Sequence, residues 1–236
     1  MKKTKYKRAV YIFLAVVIIA STAIIRASAT DDIAEKIMNE VVFFGDSTTA
    51  HLAVRGGIPK DRVWSGYGST LLFTSVLERS ANVDGEMITI FEAVKRHAPK
   101  ILVITVGASG GAGFLSEENF KQIYKQLLTG IRSSSPDTIV IAQSILPLSD
   151  KSVKYYKKLT KQAVVRANGW IEEVCGESDV PYINSHDLLT DKNGYLKAEY
   201  QNDEYLHLTA SAYEIILKNL KNYIINNIDK FKSIDV

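Results

Sequence analysis

Three short stretches of the chain hold residues whose types and spacing suit acyl-transfer chemistry. The first is Gly45-Asp46-Ser47-Thr48-Thr49. An apolar run, Val41 to Phe44, ends at that glycine, so Ser47 directly follows a strand buried on both faces and begins a helix. A serine there has its own N–H outside the helical ladder and sits in a positive potential, both of which favour a developing oxyanion. The same position also suits a plain helix cap. The second stretch is Asp203-Glu204-Tyr205-Leu206-His207. A histidine a few residues after a carboxylate, just before a helix, suits a general base with its orienting acid. The third is Gly107-Ala108-Ser109-Gly110-Gly111, a formal match to the G-x-S-x-G nucleophile elbow. An elbow needs a helix straight after its serine. Here Gly110-Gly111-Ala112-Gly113 follow, and the helix signal waits until Ser116. Ser109 therefore reads as an oxyanion-hole or pocket residue, or a plain turn serine, before it reads as a nucleophile.

These stretches must be positioned by the elements between them. Val41–Phe44, Ile101–Val106, Thr138–Ala142 and Pro181–Asn184 read as buried strands, with Val63-Trp64 a further short one. Helical patterns cover Asp31–Asn39, Met87–His97, the stretch capped by Ser116 and ended by Ser133–Pro136, Lys151 to Cys175, and the chain after Thr209. Alternating strands and helices imply right-handed crossovers and a parallel sheet covered on both faces. In such a sheet the site lies beyond the carboxyl ends of the strands. That rule points at the loops after Phe44 and Val106 and at whatever the final helix brings.

With these blocks in order, the chain resembles the SGNH (GDSL-type) hydrolases. Phe43-Phe44-Gly45-Asp46-Ser47 matches the family's strand-end G-D-S. Gly66-Tyr67-Gly68-Ser69-Thr70 stands at the glycine block. Gly107-Ala108-Ser109 stands at the G-x-N turn, and Glu204-Tyr205-Leu206-His207 at D-x-x-H. The resemblance spans about residues 40–225. It implies a three-layer αβα sandwich, flavodoxin-like, with a parallel sheet of about five strands. It also implies roles: Ser47 as nucleophile, His207 as base, and Glu204 as the carboxylate that orients it. The oxyanion donors would be the N–H of Ser47, the N–H of Gly68 (with Gly66 as fallback) and the side chain of Ser109. Two positions depart from the pattern. Ser109 replaces an asparagine and has a shorter donor; Glu204 replaces an aspartate and is one methylene longer. Asp203 could take the acid's place only through a rearranged loop.

Around these residues, His51 lies four positions after Ser47 and faces the same side of a helix. With Tyr67 and Gly110 it is a candidate for the substrate pocket, as well as for packing. Trp64 reads first as core. His186 is a distant rival base. Lys151, Lys154, Lys157, Lys158 and Lys161 read as a solvated helix face.

Bulk properties narrow the classes. The formal charge is +3, but residues 1–30 carry six basic and no acidic residues. What remains has 23 basic against 26 acidic residues, a balance of −3, with no nucleic-acid footprint. The lone Cys175 excludes a disulfide framework and reads as a small apolar helix residue. No metal-ligand spacing stands out, and neither metal nor cofactor is expected. A basic start, MKKTKYKR, precedes 17 uncharged residues, Ala9–Ile25, and Ala27-Ser28-Ala29 resembles a cleavage site. Residues 1–30 thus read as a signal peptide or membrane anchor, and 31–236 as the SGNH-hydrolase-like domain outside the membrane. The expected activity is that of a serine esterase, with an O-acetyl group on a carbohydrate as the substrate class. The alternatives are an acyltransferase using the same site, or a glycan-binding module that has lost catalytic power.

Overall fold

A computed structural model describes residues 29–65, 71–203 and 206–234. Contacts divide the chain into two compact units, one of residues 1–39 with 221–236 and one of residues 40–220. In the first, helix α1 (residues 29–38) is tied by Asp31 and Glu35 to Lys221, at 3.1 and 2.7 Å.

The second unit carries the sheet. Its strands are β1 (Val41–Gly45), β4 (Ile101–Thr105), β5 (Ile139–Gln143) and β6 (Tyr182–Ile183), hydrogen-bonded in that order and all parallel. Continuous apolar sequence is what a sheet buried on both faces requires. Phe44, Leu102, Ile104, Val140 and Ala142 face one cluster, which contains α4 (Ile90–His97), α5 (Glu117–Ser134) and α6 (Lys161–Glu177). The alternate residues Val41, Phe43, Ile101, Val103 and Ile141 are equally buried on the other face. Two short helices, α3 (Leu52–Arg55) and α7 (His186–Leu189), lie in the loops, and the last helix, α8, spans Ala210–Asn226. Its residues Ala212, Tyr213, Ile216 and Leu220 are buried, and Asn219 donates to the Asn184 carbonyl at 3.2 Å and to Ser185 Oγ at 3.1 Å.

Three expectations change. Among the described residues the sheet has four strands, because Val63 makes only a single parallel bridge to Phe43. A 3₁₀ turn (Lys60–Arg62) precedes it, and Ser65 turns inward two residues later, so no second residue comes into register. The helix expected over Met87–His97 starts at Ile90, capped by Thr89. The residues before it form β3 (Glu86–Thr89), which pairs antiparallel with β2 (Arg79–Val83). Asp84-Gly85 joins them with φ of 53° and 89°, the conformation of a two-residue hairpin turn that Asp-Gly favours. The helix expected from Lys151 begins only at Lys161, capped by Thr160; Asp150–Lys154 is a 3₁₀ turn.

Among the described residues no helix is long and apolar enough to cross a membrane. The apolar run Ala9–Ile25 lies outside the described residues.

Candidate active site

Strand β1 ends at Gly45, and glycine is required there. A Cβ would stand 2.1 Å from Thr49 Oγ1 and 2.3 Å from the Thr105 carbonyl. That close approach lets the chain turn at once into the single-turn helix α2 (Ser47–Ala50). Asp46 caps it. Its Oδ1 accepts from the Thr48 N–H at 3.0 Å and from the Thr48 hydroxyl at 2.7 Å. Burial raises the Asp46 carboxyl above the usual range, while the two Thr48 hydrogen bonds and the charge of His207 pull it back. Ser65 closes the turn from the other side. Its hydroxyl donates to the Gly45 carbonyl at 2.7 Å and accepts from the Gly45 N–H at 3.1 Å. Ser47, half-buried, is thus held on a strand-to-helix turn at the carboxyl edge of the sheet.

The second part comes from the loop before α8. Gln201 bridges Leu208, and the Asn202 N–H donates to the His207 carbonyl at 3.0 Å. The closed loop folds Asp203 back on His207. Asp203 Oδ1 accepts from the His207 N–H at 3.2 Å, and Oδ2 pairs with ring Nδ1. A histidine held at Nδ1 by a carboxylate turns Nε2 toward chemistry. The ring side chain is 29% exposed, enough for a substrate to reach.

Two contacts bring the loops together. The His51 N–H donates to the Ser47 carbonyl at 3.2 Å, and the His51 ring meets the His207 ring edge-on, with centroids 4.3 Å apart. Burial, then the charges of His207 and Arg55, lowers the basicity of His51; Asp203 opposes them. From α8, the Tyr213 hydroxyl donates to the Thr48 carbonyl at 2.7 Å, fixing α2 against the helix that follows His207.

The third loop leaves β4 through Gly107, whose φ of 119° excludes most side chains. The Ala112 N–H returns to its carbonyl at 2.7 Å, and the Ser109 carbonyl accepts from the Phe73 N–H at 2.7 Å. Residues 108–114 are turns, and α5 begins only at Glu117, capped by Ser116. No helix follows Ser109, so it lacks the elbow's geometry. A small cavity of about 20 Å³, close to one water, lies between these loops. Asp46, Thr48 and Thr105 give its polar wall; Val106, Ala108, Leu146, Leu148 and Leu206 are among its apolar lining.

Ser47, His51 and His207 therefore belong to one neighbourhood, with Ala108 on the wall and Ser109 and Gly110 beside it in the same loop. Gly66, Tyr67, Gly68 and Glu204 lie outside the described residues. Among the described residues, Asp203 is the carboxylate on the histidine ring. Ser65 and Tyr213 were not anticipated as positioning residues; only the place of Ser65 just before the glycine block hinted at it. His186 is buried, with Nδ1 2.9 Å from Asp187 Oδ1 and 3.3 Å from the Thr190 hydroxyl. Its N–H is held by Ser144, so it serves the turn after β6. Burial pushes the Cys175 thiol up to about 12, which fits an inert apolar role. Among the described residues no three His, Cys, Asp or Glu side chains are grouped to hold a metal ion.

A family model described as the GDSL-like lipase/acylhydrolase family matches residues 43–215. Solved structures share the fold. A GDSL-like lipase from Bacteroides thetaiotaomicron superposes with a TM-score of 0.61 at 20% identity, over 81% of this chain and 90% of that one. A lipase/acylhydrolase from Enterococcus faecalis gives 0.50 at 18% identity, over 79% and 95%. The periplasmic domain of a lipopolysaccharide acetyltransferase from Salmonella ser. Paratyphi A gives 0.51 at 16%, over 79% and 84%. No curated protein matches the chain by sequence.

Proposed function

Because the chain belongs to the GDSL-like lipase/acylhydrolase family, we propose that it cleaves carboxylic esters through an acyl-enzyme on Ser47. The carrying observation is the Asp203–His207 pair set beside the helical turn that starts with Ser47. In this mechanism Ser47 Oγ attacks the ester carbonyl and His207 Nε2 takes its proton. Asp203 holds Nδ1 and stabilises the imidazolium. The oxyanion is met by the Ser47 N–H, with further donors from the Gly68 N–H and the Ser109 hydroxyl. His207 then returns the proton to the leaving alkoxide, and water releases the acid by the same relay.

Acetyl, the shortest common acyl group, is the proposed acyl part. With residues 1–30 read as an export segment, the domain works outside the membrane, where O-acetyl groups on carbohydrates are the proposed substrate. Transfer of the acyl group to a sugar hydroxyl is the second reading; the acetyltransferase domain of the same fold supports it. A fluorophosphonate reagent tests the proposal, since it labels only a serine activated by a base. The expected adduct is on Ser47. An adduct on Ser109, or none on a folded sample, overturns it. Product analysis with and without sugar acceptors separates hydrolase from transferase.

A further inference from the structure

The lysine-rich stretch is not the helix face that the sequence suggests. It is a strap of one 3₁₀ turn (Asp150–Lys154) and irregular chain, running to the cap of α6 at Thr160. It continues directly from the residues up to Leu148 that wall the small cavity. From Ser149 to Lys161 it holds five lysines and one acid, Asp150, on a domain whose overall balance is negative. Lys154, Lys157 and Lys158 are exposed, and none has a carboxylate partner among the described residues.

Apolar side chains stand exposed among these cations. Val153 and Tyr155, on the strap itself, are 50% and 45% exposed. Phe114, 49% exposed, lies beneath Lys158, whose Nζ is 5.8 Å from the ring centroid. The loop bearing Phe114 is pressed on the strap: a Cβ on Gly113 would stand 2.0 Å from the Lys158 carbonyl. Leu72, 46% exposed, packs on Gly110 of the same loop. The result is one mixed rim, cationic and apolar, at the carboxyl edge of the sheet.

We propose that this rim docks onto an anionic lipid bilayer and sets the mouth of the candidate site at the membrane surface. Lysines alone would suit any polyanion. A soluble polyanion offers nothing to Val153, Tyr155, Phe114 and Leu72, whereas a bilayer interface takes both kinds of group at once. Phosphate headgroups meet the ammonium groups, and the headgroup boundary accepts the aromatic and aliphatic ones.

The full chain carrying Val153→Cys, labelled with an environment-sensitive fluorophore, tests this. Cys175 is buried and stays unlabelled. The chain is mixed with vesicles of phosphatidylcholine alone, or with phosphatidylglycerol added, each containing a nitroxide-bearing lipid. The label is expected to shift to the blue and be quenched in the anionic vesicles, and to return to its aqueous state in high salt. Lys154→Gln with Lys157→Gln and Lys158→Gln should lower the bound-to-free ratio of the rim on the order of 10²-fold. A label that stays aqueous in anionic vesicles overturns the proposal. So does equal quenching in both kinds of vesicle, or a response to inorganic polyphosphate in place of vesicles. The readout is position and not turnover, so it stands apart from the esterase reading.

Discussion

The loops after β1 and β4 start alike and end differently. Each follows a buried parallel strand, each leaves through a glycine, and each carries a serine two residues on, Ser47 or Ser109. In the first, Gly45 has no room for a Cβ, Asp46 caps a helical turn, and Ser47 opens it. In the second, Gly107 takes a positive φ and the chain coils through turns until Ser116 caps α5. A serine's chemistry is set by where the next helix begins, because that decides where its hydroxyl and N–H stand relative to a base. Asp203 and His207 then complete the first loop's neighbourhood.

Removing each serine separates the two loops by the largest margin. Ser47→Ala should lower kcat on a small acetyl ester on the order of 10⁶-fold, while Ser109→Ala should keep activity well above that floor. Comparable losses in steady-state assays would dissolve the distinction between the loops. Next in size is the acid. Asp203→Asn should cost about 10⁴-fold in kcat by releasing the histidine tautomer, and Glu204→Gln only a few-fold; the reverse order would return the role to Glu204. Ser109→Asn, with a longer donor, should raise kcat by up to about 10²-fold. No gain in single-turnover rates would show that Ser109 does not face the oxyanion.

Smaller effects concern the scaffold. Gly45→Ala forces a Cβ onto the Thr105 carbonyl and should cost about 1–3 kcal/mol, read as a lowered Tm. His51 is less basic folded than its ordinary value of 6.5, so the folded state binds fewer protons there. Its contribution is complete above pH 6.5 and is lost as pH falls through that value toward the folded pKa. Denaturant titrations of His51→Gln should therefore show a flatter stability profile on the acid side than wild type.

Much of this was legible in one dimension. Val41–Phe44 and Ile101–Ile104 are apolar at every position because both sheet faces are covered, and period alone exposes that. The cap at Ser116 is a local signal read over three positions, whereas the equally local caps at Thr89 and Thr160 were hidden by helical patterns that run on before them. The Asp84-Gly85 hairpin was equally local, but its strands are short and its second strand runs into the pattern of α4. The start of α6 was obscured by lysines at helical spacing whose chain is held instead by Ser149 and Thr160.

The parallel sheet, the glycine turn beneath Ser47 and the histidine just before the last helix could all be read along the chain. These rest on hydrophobic period, local sterics and chain order. Chain order alone does not put Asp203 on the His207 ring; that contact depends on how the Gln201–Leu208 loop closes. Packing likewise brings Ser65 and Tyr213 onto the turn that carries Ser47, across 20 and 165 residues of chain. Hydrogen bonds across such separations leave no periodic trace; they exist only once packing has brought their elements together.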